Sequence, residues 1–142
     1  MTHTITFGTS IMPIYFRQEV DFASTAAFIH EISGGRFKFG IGVSHAPALK
    51  SRGISAGKPL SDMRQFVERL HEAPRVGELP PLVLATLRQK MIRLAEEIGQ
   101  GMVFANGARS HMEASLSVLS DETKASQEFF IGNMILSCVN VD

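Results

Sequence analysis

The run Ser33-Gly34-Gly35-Arg36-Phe37-Lys38-Phe39-Gly40-Ile41-Gly42-Val43-Ser44-His45 decides how the rest of the chain is read. Paired glycines end a helix cheaply, because glycine accepts the left-handed backbone that a Cβ opposes. Arg36 to Val43 is then apolar with almost no polar alternation, which suits a parallel strand covered on both faces. Ser44 and His45 open a loop just beyond it. The run is one helix–turn–strand–loop step of an α/β protein, and its loop lies at the strand end where such proteins place their chemistry.

The same grammar repeats on either side. Thr4 to Met12 reads as a strand that Pro13 ends or bends. Glu19 to Ile32 turns helical, with Val20, Ala23, Ala27, Phe28 and Ile29 on a broad apolar face. Ser44 to Lys58 reads as a loop, and Pro59 fits the first turn of a helix carrying Leu60, Met63, Phe66, Val67 and Leu70. A connector from Ala73 to Pro81 leads to a strand, Leu82 to Ala85. The next helix places Met91, Leu94, Ala95 and Ile98 on one face and stops at Gly99. Met102 to Ala105 is a strand, and Ser110 with Glu113 has the spacing of a capping box. That helix directs Met112, Leu116 and Leu119 inward. Phe129 to Val141 reads as a fifth strand. The order β-α-β-α-β-α-β-α-β predicts a parallel sheet with right-handed crossovers. Residues 1–4 and the stretch around 120–127 are the expected mobile parts.

Composition narrows the function classes. The chain has 142 residues, enough for a single domain spanning 1–142 with a core of its own. Its 14 basic and 14 acidic side chains cancel, so no basic excess points to nucleic acid. No apolar run approaches the length that spans a bilayer, so no membrane partner is expected. Residues 1–4 lack the features of a signal peptide, and a cytoplasmic location is the expectation. The single cysteine, Cys138, sits in an apolar strand-like run and reads as a buried thiol rather than a nucleophile. His3, His30, His45, His71 and His111 are scattered without metal-ligand spacing, so no metal is expected.

Ligands of a parallel sheet bind beyond the C-terminal strand ends. That rule selects Thr9 to Arg17, Val43 to Lys58, Thr86 to Lys90 and Asn106 to Ser110. Gly40-Ile41-Gly42 begins like a dinucleotide fingerprint, but His45 stands at the sixth position and no helix opens at once, so the Rossmann reading fails its context. Gly40 and Gly42 serve either close backbone packing or the close approach of a planar ligand. His45 is either an acid or base near neutral pH or a loop residue capping backbone groups. Thr9 and Ser10 end the first strand, after Gly8, and could face a ligand with two hydroxyls or bond to backbone. Two successive junctions, Thr86-Leu87-Arg88-Gln89-Lys90 and Asn106-Gly107-Ala108-Arg109-Ser110, combine helix starts with cations and hydroxyls. They suit an anion, or else carry solvated surface charges.

Several ordered blocks together resemble the bacterial luciferase-like family of flavin- and F420-dependent oxidoreductases. Phe7-Gly8-Thr9-Ser10-Ile11 is similar to its L-G-T-G-[VI] strand. Ser33 to Phe37 with Gly40 to His45 is similar to L-S-G-G-R-F…G-L-G-V-S-H, and Gly57-Lys58-Pro59-Leu60 to the start of the following helix. Pro80 to Ala85, Met91, Leu94 to Ile98, and Phe104 to Met112 continue the match in order. The resemblance implies a partial TIM-type (β/α) barrel of about five parallel strands, fewer than the eight of the family. It implies FMN or F420 as cofactor and a small organic molecule as substrate.

In such proteins the Gly8-Thr9-Ser10 strand end lies against the isoalloxazine ring, often through a non-prolyl cis peptide. His45 and Ser44 border the active-site mouth. Thr86, Arg88, Asn106, Arg109 and Ser110 lie near the cofactor's phosphate or side chain. The family's glycine-proline after the third of these strands is Arg88-Gln89 here, and its first two strands have no expected counterpart before Thr4. The expected function is a flavin- or F420-dependent oxidoreductase or monooxygenase. The alternative is a non-catalytic flavin- or anion-binding remnant, or a structural partner without a complete active site. An open sheet is expected to expose its edges and the inner faces of Phe7, Phe39 and Leu84, and so to form homo-oligomers.

Overall fold

The computed structural model describes residues 3–135. Its elements run β1 (Phe7–Gly8), β2 (Met12–Pro13), α1 (Glu19–Ile32), β3 (Phe37–Gly42), α2 (Ala46–Lys50), α3 (Pro59–Glu72), β4 (Leu82–Thr86), α4 (Gln89–Ile98), β5 (Gly101–Ala105), α5 (Arg109–Leu116), α6 (Asp121–Ala125) and β6 (Phe130–Met134). Every pairing is parallel and the spatial order is β1-β3-β4-β5-β6, with β2 also on β3. β1 and β2 are the two pieces of one interrupted strand, so the sheet is a half-barrel of five parallel strands. Two elements depart from expectation: α2 lies within the expected 44–58 loop, and α6 within the stretch expected to be mobile. Cys138 and the end of the expected fifth strand lie outside the described residues.

The period of a strand assigns its faces. Phe37, Phe39 and Ile41 point to the helices, as do Leu82, Leu84 and Thr86, and all are buried. They pack with Phe22, Met63, Phe66, Leu70, Ile92 and Ala95 in one core. The Phe22 ring meets Phe66 edge-on at 5.6 Å and Phe39 at 5.7 Å, a tilted arrangement that suits aromatic quadrupoles. The helix row is tied outside by a bidentate Arg64–Glu97 pair between α3 and α4 and by Arg69–Glu19 between α3 and α1. Phe39 and Leu84 are therefore not on the open inner face: at 3% and 0% exposure they are core residues of the helix layer. Phe7 pairs in register with Phe37, its ring 5.5 Å away, so it too faces outward rather than into the half-barrel; at the sheet edge it is 45% exposed.

The inner face carries the alternate residues, Lys38, Gly40, Gly42, Val83, Ala85 and Val103. Its glycines are filled by this chain itself. A Cβ at Gly40 would collide with the Thr9 carbonyl, and one at Gly42 with the Ile11 side chain. The segment from Thr9 to Ile11 thus folds over β3, and the Thr9 hydroxyl donates to the Gly40 carbonyl at 2.7 Å. The packing reading of these glycines is the one realised. Across the face, the Lys38 ammonium stands 5.4 Å from the centroid of the Phe130 ring.

A methyl at Gly40 meets backbone rather than a flexible side chain, so Gly40→Ala should lower stability by about 1–3 kcal/mol through overpacking. Urea unfolding followed by circular dichroism checks this; an unchanged midpoint would refute it.

Candidate active site at the strand ends

All C-terminal strand ends open on one side, because every strand is parallel. The first end is the bend after β1. Ser10 is exposed there and its hydroxyl reaches the Met134 sulfur of β6 at 3.5 Å. The Ser10–Ile11 peptide bond is cis, the feature the family resemblance implied for this strand end. Gly8 is exposed, whereas the Thr9 hydroxyl is spent on Gly40.

The second end follows β3. Ser44 has a left-handed backbone with φ of 63° and is half-buried. His45 occupies the cap position of α2 but makes no capping bond with its side chain, and it is exposed. Of the two readings of His45, backbone capping is not realised.

The third end, at β4, places Thr86 on the outward side with Leu82 and Leu84. Its hydroxyl is buried without a hydrogen-bond partner in the helix layer, so it does not reach the mouth. Arg88 is exposed at the cap position of α4 and supplies no capping bond. The fourth end, at β5, turns through Asn106 with φ of 58°. The Asn106 N–H donates to the Met134 carbonyl at 3.1 Å.

The expected Ser110–Glu113 capping box does not form. α5 begins at Arg109 behind Ala108, no side chain caps it, and Glu113 accepts from the Arg109 guanidinium at 2.8 Å instead. The helix starts two residues earlier than the box requires, with Ala108 at the cap, which moves Ser110 into the first turn, where its hydroxyl no longer faces the free N–H groups. Arg109 and Ser110 are exposed. α4 and α5 thus both start uncapped on neighbouring junctions, with first-turn N–H groups open to an anion.

Sequence reasoning missed the braces of this mouth. Asn133 of β6 accepts from the Gly107 N–H at 3.0 Å and donates to its carbonyl at 3.2 Å. The His111 ring donates from Nε2 to the Leu87 carbonyl at 2.8 Å, joining α5 to the β4–α4 junction. At the opposite rim the Tyr15 phenol donates to Asp62 at 2.7 Å. Burial, followed by the bond to Asp62, pushes its pKa up to about 12, so the phenol stays protonated and donating where a free tyrosine would ionise. None of these partners is close in sequence; the capping-like placement of Asp62 in the first turn of α3 was the only local signal.

Inside the half-barrel, Thr6, Gly8, Lys38, Val83, Val103 and Phe130 line a cavity of about 190 Å³. No cluster of histidine, cysteine, aspartate or glutamate among the described residues could hold a metal ion. Among the described residues no helix is long and apolar enough to cross a membrane.

A parallel half-barrel with its polar braces at the C-terminal strand ends defines the class: a partial TIM-like α/β barrel. The family follows from comparison. Residues 1–127 match the luciferase-like monooxygenase family, and the chain belongs to it. It is 30% identical over 122 residues to a 5,10-methylenetetrahydromethanopterin reductase of Archaeoglobus fulgidus, covering 72% of this chain and 37% of that protein.

Among solved structures it is similar to the coenzyme F420-dependent tetrahydromethanopterin reductase of Methanopyrus kandleri, with a TM-score of 0.72 at 16% identity. That match covers 91% of this chain and 49% of the other. The monooxygenase RslO1 of Streptomyces bottropensis gives 0.73 at 17% identity, over 92% and 50%. The chain therefore spans about half of these solved proteins and little more than a third of the Archaeoglobus relative.

At Asn106 the left-handed backbone penalises a β-branched side chain and welcomes glycine. Asn106→Val should cost about 1–2 kcal/mol, while Asn106→Gly should leave the urea midpoint nearly unchanged. Equal losses for both would refute the backbone explanation.

Proposed function

We propose that the chain acts in a flavin- or F420-dependent oxidoreductase or monooxygenase of the luciferase-like kind, on a small organic substrate held at the strand ends. The observation that carries this reading is the family match over residues 1–127, which takes in the strand ends of β1 to β5. The similar proteins, an F420-dependent reductase and a monooxygenase, support a redox cofactor of flavin type.

The residues present fit parts of such a cofactor. Two uncapped helix starts with the exposed Arg88, Arg109 and Ser110 suit its phosphate or acidic side chain, and Asn106 sets the loop between them. Gly8, Thr9, Ser10 and Ser44 would border the ring system, Thr9 through its backbone because its hydroxyl is engaged. Thr86 shapes that rim from behind rather than by its hydroxyl. His45, free of capping bonds, would hold or release a proton at the mouth. The bound cofactor would supply hydride or oxygen chemistry that no side chain supplies.

The second reading, a flavin- or anion-binding remnant without turnover, draws on one observation. The half-open cavity of about 190 Å³ inside the half-barrel is smaller than the roughly 300 Å³ at which ligand pockets begin.

Titration of the purified protein with FMN and with F420 separates the readings. The expected result is a thermal shift with one of them and turnover of its reduced form, with binding weakened about tenfold or more in Arg88→Ala/Arg109→Ala. Binding without turnover supports the remnant; no shift with either cofactor sinks the enzyme reading.

We also propose that the protein self-associates, consistent with exposed apolar residues at both sheet edges. Ile5 and Phe7 are 58% and 45% exposed beside β1, and Phe130, Ile131 and Ile135 lie at β6 with 39%, 41% and 72%. Sedimentation velocity at micromolar concentration should show a species larger than the 15.6 kDa monomer; a single monomeric boundary would refute this.

A further inference from the structure

The segment from Ser44 to Lys58 carries Ser44 and His45 and is the longest stretch between a strand and its crossover helix. It is fastened by three consecutive residues of a different loop. The Ile14 N–H donates to the Gly42 carbonyl at 3.0 Å, where the segment departs from β3. Tyr15 takes its far end: the phenol donates at 2.7 Å to Asp62, the carboxylate against which Gly57 packs. A Cβ at Gly57 would collide with the Asp62 carboxylate, so glycine and carboxylate are packed together around that phenol. Phe16 takes the middle, with the Arg52 guanidinium 4.7 Å above its ring centroid. Within the segment Leu49 is buried, and its carbonyl accepts from the Ile54 N–H at 3.0 Å.

We propose that Tyr15, acting through Asp62 and Gly57, is a positioning residue that fixes the 44–58 segment and thereby sets Ser44 and His45 at the mouth. This deepens, and rests on, the reading of the strand ends as a flavin-type site. Tyr15 itself touches no expected cofactor position; it acts through the segment. The phenol is suited to the task because it donates a hydrogen bond to a carboxylate, the stronger kind, while half its ring is held by packing.

The test uses Tyr15→Phe and Asp62→Asn in the full chain. Trypsin has sites inside the segment at Lys50 and Arg52, and outside it at Arg93 and Lys124. The expected result is cleavage about tenfold faster at the segment sites with rates at Arg93 and Lys124 unchanged, and weaker binding of whichever of FMN or F420 the wild type takes. Unchanged segment cleavage overturns the proposal. So does acceleration at all sites together, which marks general destabilisation, or segment release with cofactor affinity unaltered. If the segment is released but the wild type binds neither FMN nor F420, the fastening stands and its link to a flavin-type site is refuted. The proteolysis arm thus fails separately from the functional reading.

Discussion

The missing side chains of Gly40 and Gly42 are the constraint on which the rest of the structure depends. The Thr9 carbonyl stands where a Gly40 methyl would be, and Ile11 stands where a Gly42 methyl would be. The first strand can therefore leave the sheet edge after Gly8 and cross over the inner face of β3. It rejoins β3 as β2, with Met12 opposite Ile41 and Pro13 opposite Gly42. That detour covers the otherwise bare side of a buried strand, presents Ser10 toward β6, and delivers residues 14–16 to the rim. Larger residues at the two glycines would force the chain back to the edge and take the site's first wall with it.

This explains what the sequence could disclose. The order of strands and helices was legible because Met63, Phe66, Val67 and Leu70, or Met91, Leu94 and Ala95, repeat at helical spacing and the strands between them are short and apolar. The phase of those strands was not legible. Where Phe37, Phe39 and Ile41 alternate with Lys38 and two glycines, both faces look apolar or small, and only packing shows that Phe39 and Leu84 belong with the helices. Thr86 follows the same alternation: counted from Leu84 it turns outward, and its hydroxyl is buried without a partner.

The short helices were obscured differently. α2 and α6 have five residues each, too few for a periodic stripe. Yet α6 did carry a local signal, since the Ser120 hydroxyl accepts from the Thr123 N–H at 3.1 Å. For the candidate site, the four strand-end loops were correctly ordered along the chain. The braces Asn133–Gly107, His111–Leu87 and Tyr15–Asp62 join residues 24 to 47 positions apart, and no local pattern encodes such pairs.

Stability and site formation fall on opposite faces of the sheet. The outer layer holds the fully buried Phe66, Phe104, Ile41, Leu70, Leu84 and Ile92, and each such side chain is worth roughly 1.5–3 kcal/mol of transfer free energy. The ion pairs over that layer lie at the solvent boundary, where water competes for both partners, and add little. The inner face instead relies on a few contacts: a hydroxyl on a carbonyl, a serine near a sulfur, an ammonium over a ring. The outer layer can therefore specify the half-barrel while the inner face and strand ends keep groups unspent for a ligand.

The same economy of unspent groups governs the mouth's charge. Arg109 is engaged by Glu113, but the pair lies at 90% and 64% side-chain exposure, where water competes for both partners. Breaking it costs little, and the guanidinium remains at the start of α5, where the helix dipole already favours negative charge. Glu113 sits one turn further along the helix and would be left to solvent rather than stranded. A dianion arriving at the α4 and α5 starts would exchange one weak exposed contact for charge-assisted bonds from Arg109 and free backbone N–H groups together. The pairing seen here is therefore compatible with an anion site, whereas a buried Arg109–Glu113 pair would have closed it.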